Sequence, residues 1–175
     1  MQKLRSFIAL LGILVFTQNV VAQNYVNLKA GIGIPELAGV SVGLQPGPLQ
    51  MMIGAGSLPL PDDKLFSMYG DLFFHLFGTS KNSEIKPWFL RFGIKYFRED
   101  TPRWIDRYTY ADIRVGRSFF FTEQLSLELD LGTALELSYT REEIIPTTPW
   151  LNLEFPVLPS IGTRIVYRLP IPEPK

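Results

Sequence analysis

From Trp88 to Phe97 the chain runs W-F-L-R-F-G-I-K-Y-F. Read as a strand, Trp88, Leu90, Phe92, Ile94 and Tyr96 share one face, and Phe89, Arg91, Gly93, Lys95 and Phe97 share the other, because a strand turns successive side chains to opposite sides. One face is wholly apolar; the other mixes two cations with glycine. The same alternation recurs seven more times, over 26–34, 38–45, 49–57, 65–77, 108–120, 124–139 and 160–169. The cleanest case is 124–139. There Leu125, Leu127, Leu129, Leu131, Leu135 and Leu137 oppose Ser126, Glu128, Asp130, Gly132, Ala134, Glu136 and Ser138. Leucine at every second position fits a period of two and contradicts 3.6.

Between the runs lie breakers. Pro35-Glu36-Leu37 ends the first, and Pro46-Gly47-Pro48 separates the second from the third, since two prolines leave a ladder without donors. Leu58–Lys64, Gly78–Lys86, Arg98–Arg107, Phe121–Glu123 and Thr140–Pro159 complete the set of expected connections. Eight antiparallel segments joined in sequence predict an all-β, up-and-down, eight-stranded barrel.

The first residues have the three parts of an export signal: Lys3 and Arg5, the apolar run Phe7–Phe16, and a more polar exit with Val20 and Ala22 at small-residue cleavage positions. The apolar run is too short for a membrane-spanning helix, which needs roughly 20 residues. Two units are expected, a signal peptide over 1–22 and a barrel domain over 23–175. The chain has no cysteine, which removes disulfides, thiolate metal sites and a lipidated cysteine. Its 17 basic and 17 acidic residues cancel, with no basic tract for nucleic acid. Aromatic residues are 13% and charged residues only 19%, a low figure for a surface that meets water on all sides.

Alternation alone does not say which face meets what. A soluble lipocalin-like barrel would line a lipid cavity with the apolar face. Three features favour the inverse, a transmembrane barrel. First, the mixed face is rich in small residues (Gly31, Gly33, Gly39, Ser41, Gly43, Gly54, Gly56, Gly93, Gly116, Ser118, Gly132, Gly162), which suit a crowded eight-stranded lumen. Second, its charges nearly balance. Lys29, Arg91, Lys95, Arg114, Arg164 and Arg168 stand against Asp71, Asp112, Glu128, Asp130 and Glu136, six cations to five carboxylates. With His75 these form an expected lumen polar network, because charges inside a barrel must pair. Third, Tyr25, Trp88, Tyr96, Tyr108, Tyr139 and Tyr167 lie near segment ends, as in the aromatic girdles of membrane barrels. Arg117 alone puts a charge on the apolar face, and its long stem reaches the headgroup level from so near a turn.

This arrangement of a signal, eight alternating segments and short turns resembles the small outer-membrane β-barrel proteins, the OmpA-like or "outer membrane protein beta-barrel" group of Bacteroidota. The resemblance implies location in the Gram-negative outer membrane after cleavage near Ala22, with both termini in the periplasm. Pro46–Pro48, Gly78–Lys86 and Phe121–Glu123 would then be periplasmic, and the other connections extracellular. Outer-membrane lipids and lipopolysaccharide are the implied surroundings.

Catalysis finds little support. Ser67, Asp71 and His75 have the residue types of a hydrolase triad, but residues four apart on a strand stand about 13 Å apart. The lipid A deacylase pattern, His followed two residues later by Ser, is absent, since Phe77 follows His75. One histidine and no cysteine predict no metal or cofactor. An eight-stranded lumen filled by such side chains predicts no solute pore. Binding or structural work remains. Trp104, and the apolar residues Ile144, Ile145, Trp150, Leu151, Leu153 and Phe155 of the long loop, are the expected contact residues for a protein partner in an envelope complex, or a cap for the barrel mouth.

Overall fold

A computed structural model describes residues 24–59, 63–144 and 156–172. The export signal and most of the apolar loop, including Ile145, Trp150, Leu151, Leu153 and Phe155, lie outside the described residues.

Eight strands follow one another: β1 (Asn24–Ile34), β2 (Leu37–Pro46), β3 (Leu49–Pro59), β4 (Lys64–Phe77), β5 (Trp88–Asp100), β6 (Trp104–Phe120), β7 (Leu125–Glu143) and β8 (Val157–Pro170). Each pairs antiparallel with the next, and β8 returns to β1 from Tyr25↔Pro170 to Ile34↔Ile161, closing the barrel. Closure leaves no sheet edge unpaired, which is how an all-β chain of this length protects its backbone groups. The near end carries the start of β1 and the finish of β8; the far end carries the β1–β2, β3–β4, β5–β6 and β7–β8 connections.

The alternation settles into two faces. Outward stand Ile53, Val40, Leu131 and Ile32, each more than half exposed. Inward stand Asn27, Gln45, Gln50, Arg91, Glu128 and Arg168, all fully buried. The usual distribution of a water-soluble domain is inverted. Small inward residues make this possible. A methyl group added at Gly54 would enter the Tyr69 ring, one at Gly116 the Phe89 ring, and one at Gly93 the carboxylates of Asp71 and Asp112. In the tight β2–β3 turn, Gly47 takes φ 61°, a conformation that favours glycine.

Several sequence expectations need correction. The charged run Arg98–Arg107 is not a loop. β5 continues to Asp100 and β6 begins at Trp104, leaving Thr101–Arg103 as the turn, with the Thr101 amide donating to the Trp104 carbonyl at 3.0 Å. The run still alternates: Arg98 and Asp100 pair with each other outside while Glu99 turns the other way. The loop expected over 140–159 is likewise shorter, because β7 reaches Glu143 and β8 starts at Val157. Ser138, expected inside, is exposed and sits opposite Thr109. A register shift between Thr109 and Tyr110 places Leu137 and Ser138 both outward, as a bulge does. Of the six residues expected in the aromatic girdles, Tyr25 is buried inward. Tyr108 and Tyr139 share the inward phase of Tyr110 and Asp106 and stack on each other at 4.8 Å.

Candidate functional site

The lumen is filled by two layers of charge separated by rings. The larger layer is central. Arg91 of β5 contacts Glu36 Oε1 and Asp71 Oδ2 through Nη2, both at 2.6 Å, and Asp130 through Nη1 at 3.3 Å. Lys95, four residues on and on the same face, reaches Glu36 at 2.9 Å, Asp71 at 3.0 Å and Asp112 at 3.2 Å. Arg114 of β6 engages Glu36 and Asp112 at 2.6 Å and Asp130 at 2.9 Å. Arg164 of β8 bonds Asp130 and lies 3.4 Å from Glu36. Four cations face four carboxylates, every one of them nearly or wholly buried. Such a network holds together because each charge has several partners at once; removing one strands the others in a medium that cannot solvate them.

Glu36 is the hub of this layer, and it comes from a turn, not from a strand. The β1–β2 connection tucks its side chain into the barrel, with Leu37 in the left-handed region at φ 66°. Leucine rarely adopts that conformation, so the surrounding contacts must hold it there. Burial by itself would raise the Glu36 carboxyl; Arg91, Lys95, Arg114 and Arg164 outweigh it and hold it well below the usual carboxylate range. Sequence reasoning missed this residue because it looked for lumen groups only on strands. The network still sets six cations against five carboxylates, because Glu36 enters it and Glu136 does not.

The second layer lies toward the near end. Lys29 bonds Glu128 at 2.6 Å and Gln50 at 3.2 Å, with its ammonium 3.8 Å from the centre of the Phe73 ring. Arg168 donates to Ser126 Oγ at 2.7 Å, approaches Glu128 at 3.6 Å, and lies 4.8 Å from the Phe120 ring centre. Asn27 donates to Gln45 at 2.9 Å beside it. Met52, Phe73 and Phe89 form a small apolar cluster in the lumen.

Of the twelve expected lumen residues, ten enter these ion pairs. Glu136 is half-buried opposite Tyr110 and has no ion-pair partner among the described residues. His75 is buried with Nδ1 2.9 Å from the Lys86 carbonyl and Nε2 3.4 Å from Gln50 Oε1. Ser67 donates instead to the Glu36 carbonyl at 2.5 Å, so Ser67, Asp71 and His75 are not gathered into a triad. Asp112, Glu128 and Asp130 each face arginine or lysine, and among the described residues no group of carboxylates and histidine has the arrangement of a metal site. A void of about 10 Å³ between Lys29, Glu36, Ser41, Tyr69 and Arg164 is about the size of one water.

A third cluster stands at the far end, where β5, β6 and β7 run on beyond their shorter neighbours. Asp106 is buried and accepts from Arg141 Nε at 2.8 Å and Nη2 at 2.7 Å, and from the Tyr139 hydroxyl at 3.1 Å. Trp104, the first residue of β6, is half-buried and joins this rim with its ring 5.1 Å from the Arg141 guanidinium. Ile144, just past β7, is exposed. The β5–β7 rim thus presents an aromatic, hydrogen-bonded inner surface that sequence reasoning assigned partly to a loop and partly to the membrane girdles. Compared with known protein families, curated proteins and solved structures, the chain matches none of them.

Proposed function

We propose that this protein is an outer-membrane β-barrel of a Gram-negative bacterium, exported by its N-terminal signal, with a closed lumen and a binding or bracing role at its far end. One observation carries the reading. The outward face is a continuous belt of isoleucine, leucine, valine and aromatic side chains, while arginines, lysines and carboxylates fill the inside. An exposed apolar surface of that extent calls for an apolar solvent, and a barrel satisfies every backbone group within it.

The lumen argues against transport. Its centre is crossed by Arg91, Lys95, Arg114 and Arg164, each tied to carboxylates on other strands, and such cross-ties obstruct a path for solutes. Chemistry on lipid A would need a nucleophile and base in reach of each other, and the ring nitrogens of His75 are engaged by the Lys86 carbonyl and Gln50, with no hydrogen bond to a serine hydroxyl among the described residues. The far end is then the working surface, with the β5–β7 rim, Trp104, Ile144 and the segment that follows as the contact region for lipopolysaccharide or a protein of the same envelope. A fold does not fix a function, so the partner must be found by experiment.

Membrane fractionation with a heat-modifiability gel tests this reading. Sedimentation with the outer membrane, and a faster-running band in unboiled samples that shifts on boiling, is the expected result. Recovery as a soluble periplasmic protein with no shift would overturn it, and would favour the lipocalin-like alternative in which a lipid is carried inside.

A further inference from the structure

The outward face carries one charge that does not belong to the far end. Among the described residues, Lys64, Arg98, Asp100, Arg107 and Glu142 all cluster near the far rim, where Arg98 pairs with Asp100 and Arg107 with Glu142. Arg117 stands apart, near the other end of β6, directly opposite Trp88 on β5 and Leu129 on β7. Its guanidinium lies 5.4 Å from the Trp88 ring and 5.1 Å from the Phe119 ring, and Phe77 stacks on Trp88 at 5.8 Å. The outward surface there is a short aromatic belt with a cation set into it.

The two rings flank the guanidinium and supply no acceptor in the plane of its N–H groups. Among the described residues no carboxylate or carbonyl accepts from them. A guanidinium with five donors in a planar fork, unpaired at an apolar boundary, needs an acceptor group of matching shape. A phosphate diester is such a group, offering two oxygens to one edge of the fork. On the reading given above, the near end faces the periplasmic leaflet, where glycerophospholipids supply that group at the depth an arginine stem reaches.

We infer that Arg117, Trp88 and Phe119 form a binding site for the phosphate of an anionic glycerophospholipid on the outer wall of the barrel. The inference rests on the membrane reading and makes it more specific: the wall is not uniformly greasy but holds one lipid headgroup in place, between β5 and β6. The occupant is fixed by charge, since an unpaired cation favours a net anionic headgroup over a zwitterionic one.

The test uses the full chain with Trp104→Phe and Trp150→Phe, so that Trp88 is the only tryptophan, folded into phosphatidylcholine vesicles. Phospholipid brominated on its acyl chains is added as a minor fraction, either as phosphatidylglycerol or as phosphatidylcholine, and quenching of Trp88 is measured. Phosphatidylglycerol should quench about two- to fivefold more strongly per mole, the enrichment expected from one basic group at a membrane surface. Arg117→Gln should bring the two lipids level, and Arg117→Lys should retain part of the difference. Equal quenching by both lipids in the arginine form would overturn the site while leaving the membrane reading intact. No quenching even in wholly brominated phosphatidylcholine would mean that Trp88 does not face lipid, and would remove both.

Discussion

The central lumen cluster and the far-end rim use the same side chains to different effect. In the lumen, Arg91, Lys95, Arg114 and Arg164 are enclosed by eight strands and tied to Glu36, Asp71, Asp112 and Asp130. At the rim only β5, β6 and β7 continue, so pairs such as Arg107–Glu142 stand partly in solvent, with side chains 33% and 59% exposed. Water can replace a lost partner at the rim and cannot in the lumen. The same ion pair is therefore part of the fold in one place and an adjustable surface in the other.

That difference can be broken by mutation, and the largest effect belongs to Arg91. Arg91→Leu leaves Asp71, Glu36 and Asp130 short of a cation in the barrel centre. Urea unfolding from lipid vesicles should register a loss of about 5 kcal/mol, the upper end for one partner of a buried pair. An unchanged unfolding midpoint would mean that the lumen tolerates uncompensated charge. Glu36→Gln should cost about 3 kcal/mol at neutral pH, since its carboxylate meets four cations from outside the strands.

The same substitution sharpens the comparison through pH. Glu36 has a folded pKa below its unfolded one, so its contribution is complete above the ordinary carboxylate value of about 4.3 and is lost as pH falls through the lower folded value. The stability gap between the native chain and Glu36→Gln should hold from pH 7 to about 5 and close only in stronger acid. A gap that closes near neutrality would mean a carboxyl buried without its cations, and no gap at any pH would place Glu36 in water.

Smaller effects follow. Gly93→Ala pushes a methyl group against Asp71 and Asp112, and an overpacked core typically loses about 1–3 kcal/mol. At the bottom of the order is Arg107→Ala on the rim, with a change of about 0.5 kcal/mol or less. If the rim substitution matched Arg91→Leu in size, the contrast between enclosed and open clusters would fail.

The strands and their faces were legible because a two-residue period is written directly into side-chain polarity, as in Leu125 to Leu137. What the period could not reveal was any residue off a strand or out of phase. Glu36 sits in a turn, where no alternation of polarity marks which way a side chain points. The bulge at Leu137–Ser138 changes phase without a glycine or proline to mark it. The rim was misread because Arg98–Arg107 is charged enough to resemble a solvated loop, whereas its charges pair across one hairpin and with each other. Tyr139 was assigned to the girdles because the bulge reverses its phase, and Tyr108 because its place near a segment end was weighed above the phase it shares with Tyr110.

The central claim is that the alternating apolar face of β7 meets lipid and its partner face meets the closed lumen. Absence of cysteine makes a direct measurement simple. Spin labels are placed one at a time on cysteines at 125–131 in the vesicle-bound protein, and collision with oxygen, which partitions into lipid, is compared with collision with a water-soluble nickel chelate. Labels replacing Leu127, Leu129 and Leu131 should favour oxygen strongly, alternating with weak collision by either agent at Ser126, Glu128 and Asp130. If the leucine positions instead collide freely with the nickel chelate, the face is in water and the account is wrong.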